Sequence, residues 1–505
     1  MPTASLTIDP AARVGPINRR LFGSFVEHLG RCVYDGIYEP GHPTSDADGF
    51  RTDVLELVRE LGISTVRYPG GNFVSGYRWE DGVGPREQRP RRLDLAWHSL
   101  ETNEVGLDEF ARWSARAGTE LMLALNLGTR GVQEALDLLE YANIRSGSAL
   151  AEQRIANGTP EPHGVRMWCL GNEMDGPWQI GHRSADDYGK LAAQTARAMR
   201  MIDPDLELVA CGSSSRAMPT FGEWERVVLE HAYDEVDYIS CHAYYDEKPG
   251  DLGSFLASPV DMDLFIEQVA AVIDDVAARR GTDKRVAISF DEWNVWYLDR
   301  YHDEDKVTDP QSWPIAPRLL EDSYTVADAV VVGGLLMSLV RHADRVTSAS
   351  LAQLVNVIAP IMTEPGGEVW RQTTFFPFAI TSRLARGYAL AVAVDTGDYD
   401  CAAYGSVPLV DAAATHDPEL GTGLFLVNRS QSEAVEVSVD VSALGPVAVA
   451  EALTLSDPDP HARNVHGDSS RVAARVNTTA SLEQRSLKIT LPPVSWTAVH
   501  LRSVA

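Results

Sequence analysis

The chain has 505 residues, more than one hydrophobic core ordinarily serves, so a large unit and a smaller one are expected. A hydrophobic fraction of 44% with 23% charged residues is that of a globular protein, and no stretch approaches the roughly 20 apolar residues a membrane helix needs. With 44 basic against 72 acidic residues the net charge is −28, which opposes contact with phosphate backbones and excludes nucleic acid as the expected partner.

Residues 1–10 carry neither a basic region nor an apolar one of the kind that opens a secretory signal, so the cytoplasm is the expected location. The tripeptides that begin at Asn428 and Asn477 have the form of glycosylation sites and are then chance matches. The five cysteines, Cys32, Cys169, Cys211, Cys241 and Cys401, are odd in number and show no CxxC spacing. That argues against a disulfide framework and a zinc site, and buried thiols are expected.

In chain order, residues 4–8 alternate in polarity and are expected to pair with strands near the C-terminus. Eight short β-rich runs follow, at 21–27, 65–68, 121–127, 165–170, 206–211, 238–242, 286–290 and 346–351. Between them lie segments of helical period such as 53–61, 107–117, 185–201, 262–280 and 323–342. Strands alternating with helices in this number predict a (β/α)₈ barrel over 19–385. A doubly wound sheet would instead place a GxGxxG turn after the first strand, and FGSFVEHLG at 22–30 lacks it. Beyond a last helix at 375–385 the helical period disappears. Short alternating runs at 390–394, 423–428, 435–441, 447–455, 471–476 and 487–501 predict an all-β sandwich of the jelly-roll kind over 386–505, joined by 1–18.

An active site in such a barrel forms where the strands end, so the polar residues just past each run are the candidates. They are Glu27 and His28 where the first strand ends, Asn72 in the loop YPGGN after the second, and Asn172 and Glu173 after the fourth. His242, Tyr244 and Tyr245 stand at the end of the sixth, Glu292 and Asn294 follow the seventh, and Gln353 the eighth. Two carboxylates at the mouths of strands four and seven point to glycosidic bond cleavage, which needs a proton donor and a second carboxylate on either side of the anomeric carbon. Reaching inward from opposite sides, Glu173 and Glu292 can approach the roughly 5–5.5 Å at which one is a nucleophile and configuration is retained.

Asn172 is placed to donate to a sugar 2-hydroxyl, and Tyr244 to Glu292. Glu173 as the acid needs a raised pKa from burial or a nearby negative charge. Glu27, Asn72 and Gln353 serve either as ligand contacts or as ties on the loops, while Gly70 and Gly71 suit a tight turn. His28 and His242 have no HxH or HExxH partner, so hydrogen-bonded histidines are expected and no metal.

Six segments in order, GSFVEHLG (23–30), RYPGGNF (67–73), WCLGNEMDGPWQ (168–179), ISCHAYY (239–245), FDEWNVWY (290–297) and LAQLVNVIAP (351–360), resemble glycoside hydrolase family 51, the α-L-arabinofuranosidases. The resemblance spans nearly the whole chain. It implies Glu173 as acid/base, Glu292 as nucleophile, and Glu27, Asn72, Asn172, Tyr244 and Gln353 as contacts to the furanose ring, with Trp97 and Trp296 as walls on the leaving-group side. It further implies an arabinose-containing oligosaccharide as substrate, a homohexamer, and no metal or organic cofactor. Two other functions fit the same pattern in part. An endo-acting β-glucanase or xylanase would share both glutamates but need a long open cleft; a non-catalytic carbohydrate-binding protein predicts loss of one glutamate, and both are present.

Overall fold

The computed structural model describes residues 2–504. Eight strands close into a barrel in which each lies beside its neighbour in the chain. They are Gly23–Phe25, Thr65–Tyr68, Glu120–Ala124, Met167–Cys169, Glu207–Ala210, Tyr238–Tyr245, Ala287–Val295 and Val346–Leu351. All pair in parallel, and the eighth closes onto the first through Ser350 and Gly23. Parallel pairing requires crossovers, and helices supply them. Thr52–Leu61, for example, buries Val54, Leu55, Val58 and Leu61 at helical spacing and stops at Gly62, which adopts φ 76°.

The sixth and seventh strands run further than their apolar runs suggest. Tyr244, Tyr245, Glu292 and Asn294, expected just beyond the strands, lie within them: His242 pairs with Glu292, Tyr244 with Asn294 and Tyr245 with Val295, after a register shift between Ser240 and His242. Polar side chains here mark no strand end, because the backbone ladder continues while Tyr244 and Glu292 line the cavity and Tyr245 and Asn294 find hydrogen-bond partners on neighbouring segments. The bulge re-aims them, a common device beside active sites.

The C-terminal strands form a seven-stranded and a five-stranded sheet, with a separate two-stranded pair, Asp398–Cys401 and Gly405–Pro408. One core of Leu6, Val437, Val439, Leu487 and Ile489 from the smaller sheet and Ala412, Leu424, Leu426, Val499 and Leu501 from the larger holds them face to face. Thr3–Thr7 lies in the smaller sheet, parallel to Val435–Asp440, and Arg13–Pro16 joins the larger. The single run expected at 487–501 is two strands, Ser486–Leu491 and Ser495–Ser503, in different sheets, broken at Pro492 and Pro493. An eight-residue strand absent from the expected set, Val410–Asp417, lies between Tyr388–Leu390 and Gly421–Asn428.

The helix Val326–Arg341 is buried almost all round, between the barrel and the larger sheet. Gly333 makes that packing possible: a Cβ there would lie 2.2 Å from the Trp496 ring. Cys32, Cys169, Cys211 and Cys241 are buried and Cys401 half-buried, all as free thiols. No helix among the described residues is long and apolar enough to cross a membrane.

Candidate active site

The strand ends surround a cavity of about 800 Å³. Glu27, Asn72, Trp97, Glu173, Tyr244, Glu292, Trp296 and Gln353 all line it. Asn172 is fully buried just behind the wall, its Oδ1 taking a hydrogen bond from Arg67 at 2.6 Å and its Nδ2 facing Asn72 Oδ1 at 3.4 Å.

Glu173 and Glu292 meet across His242. A carboxylate oxygen of each and one His242 nitrogen all lie within 4.8 Å of one another. His242 Nδ1 is 2.9 Å from Glu173 Oε1 and 3.5 Å from Glu292 Oε2. Burial pulls the His242 pKa down, but the charges of Glu292 and Glu173 outweigh it and hold the imidazole above its ordinary 6.5. The second oxygen of Glu173 accepts from Trp178 Nε1 at 2.7 Å. Glu292 receives Arg67 Nη1 on Oε1 at 2.9 Å and the Tyr244 hydroxyl on Oε2 at 2.7 Å, the latter the contact expected from the sequence. Burial, reinforced by the charge of Glu292, keeps the Tyr244 pKa well above 10, so the phenol remains a donor across the physiological range.

Three such groups within bonding distance of one point resemble a metal triad. The Arg67 guanidinium, buried and hydrogen-bonded to Glu292, places a fixed positive charge against any cation there.

Glu27 anchors the opposite wall. Its Oε1 accepts from the Phe73 backbone N–H at 3.0 Å and Trp97 Nε1 at 2.7 Å, and its Oε2 from Gln353 Nε2 at 2.9 Å. Burial pushes its pKa up to about 8 against these donors. Gly71 does more than turn the chain: it adopts φ 63°, and a Cβ at that position would lie 2.1 Å from Glu27 Oε2. Trp97 meets Tyr301 edge-on at 5.8 Å, and Trp296 meets Tyr244 edge-on at 5.0 Å, which fixes both indoles as cavity walls.

Arg67 is the member of this cluster without an expected role; Trp178 is expected only as one aromatic of the fourth-strand motif, and His242 as a hydrogen-bonded histidine at the end of the sixth strand, which its bond to Glu173 bears out. Arg67 carried a signal, since an arginine between Val66 and Tyr68 in a four-residue barrel strand has to be buried, and a buried guanidinium needs an acid.

A parallel (β/α)₈ barrel with two carboxylates facing each other at its mouth defines the class: a glycoside hydrolase. The comparisons with known proteins narrow it. The profile described as the α-L-arabinofuranosidase 1 domain matches residues 57–251, and that of the α-L-arabinofuranosidase C-terminal domain matches 291–495. An exo-α-(1→6)-L-arabinofuranosidase of Bifidobacterium longum is 57% identical over 98% of this chain and 97% of its own. An intracellular exo-α-(1→5)-L-arabinofuranosidase of Streptomyces lividans is 58% identical over 99% of this chain and 75% of its own. Among solved structures, a family 51 α-L-arabinofuranosidase from Bifidobacterium longum superposes with a TM-score of 0.95 at 50% identity, covering 99% of this chain and 100% of that one. The chain belongs to the α-L-arabinofuranosidases of glycoside hydrolase family 51.

Proposed function

We propose that this protein is a retaining, exo-acting α-L-arabinofuranosidase that releases terminal non-reducing arabinofuranosyl residues by double displacement, with Glu292 as nucleophile and Glu173 as acid/base. The observation that carries the reading is the approach of one Glu173 oxygen and one Glu292 oxygen to within 4.8 Å, which suits the short spacing of a retaining pair and not the wider one that leaves room for water beside the sugar. Glu292, oriented by Arg67 and Tyr244, attacks the anomeric carbon as the glycosidic bond breaks, and Glu173 gives its proton to the departing oxygen. The ester so formed removes the charge of Glu292, the strongest influence raising His242. Glu173, now a carboxylate, takes a proton from water, which attacks the anomeric carbon and frees Glu292.

Glu27, Asn72, Asn172, Tyr244 and Gln353 hold the furanose ring, with Trp97 and Trp296 flanking the leaving group; the shared cavity wall supports this for all but Asn172, which reaches the ring through Asn72 or after a small shift. The catalytic unit is 19–385, and 386–505 with 1–18 forms the sandwich that braces it. Substrates are oligosaccharides derived from arabinan or arabinoxylan, met in the cytoplasm by a homohexamer. Intracellular relatives named for (1→5) cleavage support that location, and the family resemblance supports the assembly. Hydrolysis of p-nitrophenyl α-L-arabinofuranoside, with β-arabinofuranose never the first product seen by NMR and no comparable rate on the β-glucoside or β-xyloside, tests the reading. A preference for either β-pyranoside would overturn it.

A further inference from the structure

Beside the acids and amides at the strand ends, the loops around this cavity contribute polar side chains, among them Ser214, Ser215, His302 and Lys306, and three large apolar ones that stand open to solvent. Leu95, Trp178 and Leu298 line the same cavity and are 65%, 51% and 39% exposed. They come from three separate segments: the tip of the hairpin between Arg92–Asp94 and Ser99–Glu101, the loop after the fourth barrel strand, and the short helix Leu298–Arg300 after the seventh. A single exposed leucine is ordinary; three large apolar side chains from separate segments lining one cavity are not, and exposed apolar surface of that kind marks contacts.

What the patch suits follows from its chemistry. Leucine has neither a donor or acceptor for sugar hydroxyls nor a π face for a sugar ring. The one polar atom of Trp178, Nε1, is already committed to Glu173, so the ring turns carbon toward the mouth. Nearby Lys248 is held between Asp246 at 2.7 Å and Asp299 at 3.2 Å, its charge matched within the protein.

We propose that the leaving-group side of this site accepts apolar aglycones, so that arabinofuranosides of long-chain or alicyclic alcohols are substrates beside sugars. The proposal rests on the arabinofuranosidase reading above and extends it outward from the scissile bond. The reaction is unchanged: the anomeric carbon–oxygen bond breaks, the Glu292 oxygen takes its place, and the Glu173 proton leaves with the alcohol. Only the contacts beyond the departing oxygen differ.

The test is a series of methyl, butyl and octyl α-L-arabinofuranosides below micelle-forming concentration. All three alcohols are primary and unactivated, so the demand on Glu173 is similar throughout. The expected result is a kcat/KM at least about tenfold higher for octyl than for methyl, carried mainly by KM because the chain is buried alike in ground and transition states. In the double variant Leu95→Ser, Leu298→Ser that ratio should fall to within about threefold, with the methyl glycoside turned over as before. A flat series in the unaltered enzyme would overturn the proposal, as would a ratio untouched by the double substitution. Failure on every arabinofuranoside, the p-nitrophenyl one included, would sink the parent reading and this one with it.

Discussion

The two ends of the barrel each carry an arginine against carboxylates, and the difference between them separates structure from chemistry. At the N-terminal end Arg20 binds Glu120 through Nε at 2.7 Å and Nη2 at 2.5 Å, and Glu207 through Nη1 at 2.5 Å and Nη2 at 3.1 Å, while Tyr238 donates to Glu207 at 2.9 Å. All four carboxylate oxygens are engaged and none faces a cavity. At the C-terminal end Arg67, 1% exposed, makes one bond to Glu292 and one to Asn172; its Nε has no partner, with Asp291 3.9 Å away. Acids that are fully matched brace a fold. Acids left facing an 800 Å³ space beside another acid are arranged to react.

This contrast can be broken by exchanging which cluster is damaged. Replacing Glu292 by Ala should lower kcat roughly 10⁴-fold or more while leaving the far end intact, and added azide should yield an arabinosyl azide of inverted configuration, identified by NMR. Retention of activity would place the nucleophile elsewhere. Next in size, Glu173→Ala should cost about 10²–10⁴-fold on oligosaccharides but far less on p-nitrophenyl arabinofuranoside in the first step, because a good leaving group needs no proton. Equal losses on both would contradict the acid role.

Arg20→Met addresses the opposite end. It strands two acids that are partly open to solvent, so a stability loss of about 1–3 kcal/mol is expected in denaturant unfolding, with kcat at low temperature nearly unchanged. A large fall in kcat with no loss of stability would reverse the assignment of the two ends.

The smallest effect concerns Glu27, whose folded pKa of about 8 stands above its ordinary 4.5. Below the unfolded value the group is neutral in both states and costs nothing; between 4.5 and 8 the unfolded chain releases a proton the folded one keeps, so stability falls as pH rises through that window. Glu27→Gln removes this dependence. The melting temperature of the unaltered protein relative to the variant should therefore decline from pH 5 to pH 8; a constant difference would show that Glu27 is ionised in the fold.

The barrel was legible in the sequence because its strands and helices have separate periods, and the runs at 65–68 and 346–351 coincide with strands. The sixth and seventh strands extend past their apolar runs, because the backbone ladder continues to Tyr245 and Val295 under side chains whose polarity does not distinguish a strand from its end. Val410–Asp417 escaped notice because its inward residues are alanines, which leave little alternation to see. Of the site, the acids and their neighbours in the motifs could be read directly. Arg67 and His242 act through tertiary geometry: each bonds an acid supplied by another strand, and spacing along the chain does not encode that, whereas Trp178 bonds Glu173 five residues away within one motif.

The claim on which the account rests is that Glu292 becomes covalently glycosylated. Peptide mass spectrometry of the Glu173→Ala variant, quenched in acid during turnover of p-nitrophenyl α-L-arabinofuranoside, measures it, since the variant forms the intermediate and hydrolyses it slowly. One arabinosyl unit on the peptide that contains Glu292 is the result the account predicts. An unlabelled peptide, with product released in inverted configuration, would contradict it.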